Sequence, residues 1–381
     1  MVSAVLQFFT DGWILPSYNS NTLVLIPKTP NADTIDQFRP IAIANFKHKI
    51  ITKILADKLS QILPNIVSQE QRAFIHGRNI KDCICLTSEA INLMQAKTFG
   101  GNLAMKVDIG KAFDTLDWGF LLKLLKAFGF NTIFCDWIKV ILESAYISIS
   151  INGKKRGYFK CKRGVRQGDP LSSLLFCLVE DVLSISISNL VREGKIKQIK
   201  GTRHSMVPSH ILYVDDIMLF CKGNSASIQA LTQLFNEYAA NSGQKVNPSK
   251  SILYVGSMTA QRHLNIAISL GFTVVFLPFM YLGAPIFKGK PKAAHFQFIV
   301  DRITIKLTAW KASLLSIVGR AQLVKSVIHG MLLHTILIYS WPSSLIKEIE
   351  RYMRNFIWSG DLDKKKLVNV AWKKYCLPYS E

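Results

Sequence analysis

The 381-residue sequence predicts an α+β fold followed by a helical module, and three observations carry that expectation. Short β-branched runs alternate with longer stretches of helical apolar spacing, two sites carry hairpin punctuation, and beyond residue 288 the pattern turns purely helical and basic. The length suffices for a large core with a satellite domain. With 49% of residues apolar, the composition is that of a folding chain rather than a disordered one.

Residues 23–26 form a short strand closed by Pro27, and residues 49–63 set Ile and Leu at helical spacing against Lys, Asp and Gln. A second strand spans 103–107. After Trp118 an amphipathic helix covers 120–128 and ends at Gly129; Asn131 then caps a helix running through Glu143. Residues 146–151 alternate as a strand does, and Asn152-Gly153 turns the chain back into 157–161. Apolar residues recur at helical spacing through 171–188 around Glu180 and Asp181, as in a core helix. The apolar stretch 210–220, broken by Asp215-Asp216, reads as two strands joined at the acidic pair. A helix over 228–240 ends near Gly243. Lys306, Lys311, Arg320 and Lys325 then stand among Ile, Leu and Trp in a small helical domain.

Residues 264–287 carry no charge over 24 positions and reach membrane-spanning length. Asn265, Gly271, Pro278, Gly283 and Pro285 interrupt the run and β-branched and aromatic residues dominate its middle, so buried strands and turns are expected there, and no membrane partner.

Lys plus Arg (47) exceeds Asp plus Glu (25) by 22, spread along almost the whole chain. Such a surface suits an extended polyanion, and nucleic acid fits because each neutralised phosphate releases counterions. Ribosomal, chromatin and membrane-surface proteins share this bulk charge, so it gives a class and not a function. The seven cysteines are irregularly spaced without zinc-finger partners and are expected to be reduced thiols. No basic residue precedes Lys28 to start a signal peptide. An intracellular protein, nuclear or cytoplasmic, is expected.

Acids are the minority here, so those that end apolar strands stand out. Asp108 closes the strand 103–107; Asp215 and Asp216 sit at a hairpin tip, where adjacent carboxylates repel and lose hydration unless a cation balances them. A hard divalent ion suits them. Magnesium binds through one or two protein carboxylates plus substrate phosphates, and two ions about 3.5–4 Å apart serve nucleotidyl transfer. By itself the Asp-Asp dipeptide also fits a plain surface turn.

The surrounding motifs decide between these readings. In order they are Leu25-Ile26-Pro27-Lys28, Phe38-Arg39-Pro40-Ile41, Phe74-Ile75-His76-Gly77-Arg78, the run from Lys106 through Asp108 to Phe113-Asp114, and the run Arg163 to Ser172 containing Gln167-Gly168-Asp169-Pro170. Tyr213-Val214-Asp215-Asp216, Asn247-Pro248-Ser249-Lys250-Ser251 and Tyr281-Leu282-Gly283 complete the series. This series resembles the reverse transcriptases, in wording nearest to the non-LTR (LINE-type) retroelements of plants, and covers nearly the whole chain.

The resemblance implies a right-hand polymerase with fingers and palm built of antiparallel sheet plus helices, and a helical thumb. Residues 1–20 would be an N-terminal extension, 21–288 fingers and palm, 289–358 thumb, and 359–381 a linker cut short. It implies an RNA-directed DNA polymerase that uses two Mg²⁺ or Mn²⁺ ions. Its partners would be an RNA template, a DNA primer, their RNA–DNA hybrid and deoxynucleoside triphosphates. Asp108, Asp215 and Asp216 would hold the metal, and Lys250 would protonate pyrophosphate. Lys28 and Arg39 would grip the triphosphate, Phe113 would exclude a 2′-hydroxyl, Gln167 and Gly168 would pack on the nascent pair, and Tyr213 would adjoin the substrate. Tyr281, Leu282 and Gly283 would form the primer grip. The sequence departs from plant relatives at Tyr213-Val214, where Phe-Ala is usual, which bears on fidelity or rate. A catalytically silent remnant or domesticated nucleic-acid-binding scaffold is the competing reading, and an RNA-directed RNA polymerase is disfavoured by Phe113.

Overall fold

The computed structural model describes residues 2–94, 101–199, 207–256, 258–310, 314–368, 371–372 and 376. The chain divides into two compact units, Met1–Val275 and Phe276–Glu381.

The first unit begins with helix α1 (Val2–Asp11). A four-stranded sheet follows from β1 (Ser20–Pro27), β2 (Phe38–Ile43) and, later in the chain, β4 (Tyr146–Ile151) and β5 (Lys154–Lys160), ordered β2-β1-β4-β5. β1 pairs antiparallel with β2 and parallel with β4. The Asn152-Gly153 turn joins β4 to β5 with both residues at positive φ, the geometry of a two-residue hairpin.

The larger sheet has the order β10-β9-β3-β7-β6, with β8 pairing to β3 as well. Its strands are β3 (Asn102–Gly110), β6 (His210–Tyr213), β7 (Asp216–Lys222), β8 (Lys245–Val246), β9 (Ile252–Val255) and β10 (Thr273–Val275). β3 is central and almost wholly buried. Around it lie α2 (Phe46–Ile66), α3 (Ile80–Leu93), the single turn α4 (Ala112–Thr115), α5 (Trp118–Ala127), α6 (Thr132–Glu143), α7 (Pro170–Arg192), α8 (Ser225–Ser242) and α9 (Ala260–Leu270). Side-chain caps start the helices where the sequence places Asn or Asp: Asn45 for α2, Asp117 for α5, Asn131 for α6, Asp169 for α7 and Asn224 for α8. Gly243, in the left-handed region, ends α8.

α7 packs against α2, α5, α8 and β6, with Phe176, Leu178, Val179, Leu183 and Ile187 fully buried. Among the described residues it is the one helix long and apolar enough to cross a membrane; it is the buried core helix of this unit. The uncharged run 264–287 opens differently from expectation. Its first part completes α9, where Gln261, Arg262, His263 and Asn265 supply a polar face, and only then do the strands follow. The segment before β1 is anchored in the core at a few points: Phe8 is fully buried against Phe9 and Trp137, and Asn19 is fully buried too.

The second unit holds a hairpin, β11 (Phe279–Tyr281) and β12 (Ala284–Ile286), and helices α10 (Gln297–Ala309), α11 (Ile317–Leu323), α12 (His329–Ile336) and α13 (Ser343–Ser359). A π-helical turn, Val324–Ile328, links α11 to α12. The unit starts before the expected division at 288 because the hairpin is tied into the helices. Tyr339 Oη donates to Pro285 O at 2.9 Å, His334 Nε2 meets Leu282 O at 2.9 Å, and Phe287 contacts the Phe296 and Tyr339 rings.

Candidate active site

Strand register brings the three aspartates to one place. β3 pairs antiparallel with β7 so that Asp108 lies opposite Asp216, with Cα atoms about 5 Å apart and side chains on the same face. Tyr213 pairs with Asp216 across the β6–β7 hairpin, leaving Val214 and Asp215 as its two-residue turn. Val214 sits at φ +59°, a left-handed conformation that a β-branched residue rarely adopts, costing about 1–3 kcal/mol that the paired strands must offset.

Like charges this close need compensation. Lys106, two residues before Asp108 and on the same face of β3, reaches diagonally to Asp216, with Nζ 2.8 Å from Oδ1. The motif reading did not anticipate Lys106. The Asn247 to Ser251 segment braces the first aspartate: Asn247 N–H donates to Asp108 O at 2.8 Å, and Asp108 N–H donates to Ser251 Oγ at 3.1 Å. Burial raises the Asp108 carboxyl above the usual range; Lys250 opposes that, Asp216 adds to it, and Lys106 and Lys28 oppose it. Asp215 is raised by burial first and then by Asp216. Lys28 and Lys250 thus act on Asp108 through their charge, although Lys28 Nζ donates to Asp36 O at 2.7 Å and Lys250 is exposed. Arg39 stands exposed on β2 opposite Ile26, close to Lys28 in the sheet and without a bond to the aspartates.

Beneath Asp215 lies a carboxyl whose environment the sequence did not reveal. Glu180 on α7 is fully buried, accepts from Tyr238 Oη at 3.2 Å through Oε1, and has no partner for Oε2. Burial pushes it up to about 8, the Tyr238 hydrogen bond opposing and the Asp215 charge adding.

Phe113 follows Lys111, itself at φ +52°, and its ring stacks on Phe176 of α7 at 4.8 Å and 19°. The backbone of this turn is stitched to the loop before α7: Val165 N–H donates to Phe113 O at 2.6 Å, Gly164 N–H to Leu116 O at 2.7 Å, and Trp118 Nε1 to Gly164 O at 2.8 Å. Gly164 (φ +79°) cannot be replaced in kind, since a Cβ there would stand 2.7 Å from Asp114 O and 2.8 Å from Phe113 O. Gln167 and Gly168 continue the loop, half-buried and exposed respectively. What fixes them is Arg166, whose guanidinium bonds Asn19 Oδ1 and lies 3.2 Å from His48 Nε2, while Asp169 caps α7 and faces His48 Nδ1 at 3.6 Å. Burial, then Arg166, pushes His48 down to about 3, so it is neutral. Tyr213 is half-buried where β6 meets the acidic turn, opposite Asp216. Tyr281 is fully buried in the second unit, and Leu282-Gly283, both at positive φ, make the turn of its hairpin.

Among the described residues no three His, Cys, Asp or Glu side chains form a preformed ion cage. The donor set nevertheless fits a hard divalent ion that takes one or two protein carboxylates and completes its shell from substrate phosphates. The Lys106 ammonium on Asp216 is a stand-in cation for that fit.

A family model described as Reverse transcriptase (RNA-dependent DNA polymerase) matches residues 26–286. The uncharacterized 149 kDa protein of transposon TX1 from Xenopus laevis is 26% identical over 361 residues, which are 93% of this chain and 27% of that protein. The Pol polyprotein of the type-2 retrotransposable element R2DM from Drosophila melanogaster is 27% identical over 227 residues, 60% of this chain and 20% of its own. Among solved structures, telomerase from Candida tropicalis in complex with a fragment of telomeric RNA is similar at 14% identity and a TM-score of 0.48, over 79% of this chain and 51% of that one. The chain therefore spans about a quarter of the length of the curated relatives it matches. With most of its length inside that family model, the chain belongs to the reverse transcriptases.

Proposed function

We propose that this chain is an RNA-directed DNA polymerase that adds deoxynucleotides to a DNA primer on an RNA template. The observation that carries the reading is the register of Asp108 against Asp216, with Asp215 at the adjoining turn. Asp108, Asp215 and Asp216 would hold two divalent ions, Mg²⁺ or Mn²⁺, which when bound would supply activation of the primer hydroxyl and charge compensation on the leaving pyrophosphate. Lys28 and Arg39 draw in the triphosphate. Phe113, backed by Phe176, closes the space that a 2′-hydroxyl would need. Gln167 and Gly168 pack on the nascent base pair from a loop anchored by Arg166, Tyr213 adjoins the substrate, and Lys250 donates a proton to pyrophosphate. Tyr281, Leu282 and Gly283 serve as primer grip, and the basic helices of the second unit follow the hybrid as a thumb. All seven cysteines are free, which suits a reducing intracellular compartment, nuclear or cytoplasmic.

The test is extension of a DNA primer on an RNA template by purified chain with Mg²⁺ or Mn²⁺, against Asp215→Ala. Extension lost in the variant while hybrid binding persists supports the reading. A folded wild-type chain that binds hybrid and incorporates nothing with either ion leaves only a nucleic-acid-binding scaffold.

A further inference from the structure

The β4–β5 hairpin is the outer edge of the four-stranded sheet, and all seven residues of β5 are exposed. A strand that buries no side chain contributes little to a core. Its composition is also one-sided: from Ser144 to Gly168 there is no acid, while Lys154, Lys155, Arg156, Lys160, Lys162 and Arg163 fall within or beside β5. Among the described residues none of these six is ion-paired. Lysines on an edge strand also discourage sheet-to-sheet aggregation, which accounts for charge but not for exposed aromatic rings.

Those rings are ordered by a bulge. The register passes from Ile147 opposite Phe159 to Ile149 opposite Arg156, with the extra residue taken up at Gly157, φ +67°. Tyr158 is thereby laid on Tyr146 of β4, ring centroids 4.7 Å apart and 7° from parallel, and its hydroxyl meets Ser20 Oγ at 2.9 Å. One ring face is covered; the residue is still 58% exposed, and Phe159 is 47% exposed. On the Tyr146 face, cross-strand register adds Thr22 of β1 and Ser148 and Ser150 of β4, so hydroxyl groups line the sheet beside the basic edge. β5 extends for about 23 Å at the usual rise per residue.

We propose that this edge is a stacking platform for single-stranded RNA, the stretch of template not yet copied, with Tyr158 as the base-stacking residue. The assignment rests on the RNA-template reading above. An aromatic ring held flat by a second ring offers its open face to any base, and Lys155 and Lys160, which the register sets on the same face as Tyr146, neutralise the phosphates of the same strand. The neighbouring hydroxyls are donors and acceptors for the 2′-hydroxyls that distinguish RNA from DNA.

The experiment is fluorescence anisotropy on the full chain with three labelled probes: a blunt RNA–DNA hybrid, the same hybrid with a single-stranded RNA overhang, and one with a DNA overhang. Wild-type chain is expected to bind the RNA overhang most tightly. Tyr158→Ala is expected to weaken that probe roughly tenfold and leave the blunt hybrid unchanged, while Tyr158→Phe, which keeps the ring, retains binding. A Lys155→Ser, Lys160→Ser double variant should flatten the log–log salt dependence on the overhang by roughly 0.7 per charge removed. Equal wild-type affinity for blunt and overhanging probes overturns the platform alone. So does an equal loss on both probes in Tyr158→Ala, and a DNA overhang bound as tightly as RNA overturns the choice of RNA. Failure of the wild-type chain to bind even the blunt hybrid overturns the polymerase reading along with it.

Discussion

Glu180→Gln probes the ground beneath the acidic turn with a single change. The side chain is fully buried, and burial moves its carboxyl from the ordinary 4.5 of a glutamate to about 8. Because the folded carboxyl is the weaker acid, its contribution to stability is complete below about 4.5 and is lost as pH rises through about 8. Each pH unit in that window costs about 1.4 kcal/mol, so the whole interval is worth about 5 kcal/mol. Glutamine keeps the oxygen that accepts from Tyr238 and cannot ionise. Urea unfolding of both proteins from pH 5 to 9 is the assay, since in the difference between them every other titrating group cancels. The variant should gain on the wild type steadily with pH, by about 3 kcal/mol at pH 7, and then level off above about 8. A difference that stays flat across the range would refute the claim that Glu180 is held protonated.

Two further outcomes follow from the turn that carries Phe113. Gly164→Ala forces a Cβ against the Asp114 and Phe113 carbonyls in a left-handed conformation, and should cost about 2 kcal/mol or more, read as a lowered melting temperature; an unchanged one would show that the loop shifts freely. Phe113→Val should raise ribonucleotide over deoxynucleotide incorporation roughly tenfold, measured by single-nucleotide extension, because the wall backed by Phe176 recedes; unaltered discrimination removes Phe113 from that role.

Much of the fold could be read from local pattern, because caps and turns are local chemistry. Asn131 and Gly243 bound helices where their side chain or positive φ dictates, and Asn152-Gly153 makes the hairpin it announces. α3 escaped notice since its Cys, Ile and Thr blur the helical period, and α9 straddles the start of the uncharged run, its polar residues Gln261, Arg262 and His263 standing just before it. At the site, Asp108, Asp215 and Asp216 were legible as strand-end acids. Lys106 and Glu180 were not, because strand register and the crossing of α7 beneath the sheet are settled by packing between distant segments. Arg166 was visible within a motif, but its binding to Asn19, far away in the chain, is a tertiary fact.

That last contact decides where this chain can be cut. The family match begins at residue 26, inside β1, and a fragment trimmed to that border would still contain every motif apart from Leu25 of the first. It would lose Asn19, which also donates to Ile141 O at 2.7 Å, and would leave Phe8's place in the interior empty, a deletion worth about 3–5 kcal/mol on its own. The homology border and the folding border are therefore different lines, and a minimal polymerase piece has to be drawn along the second.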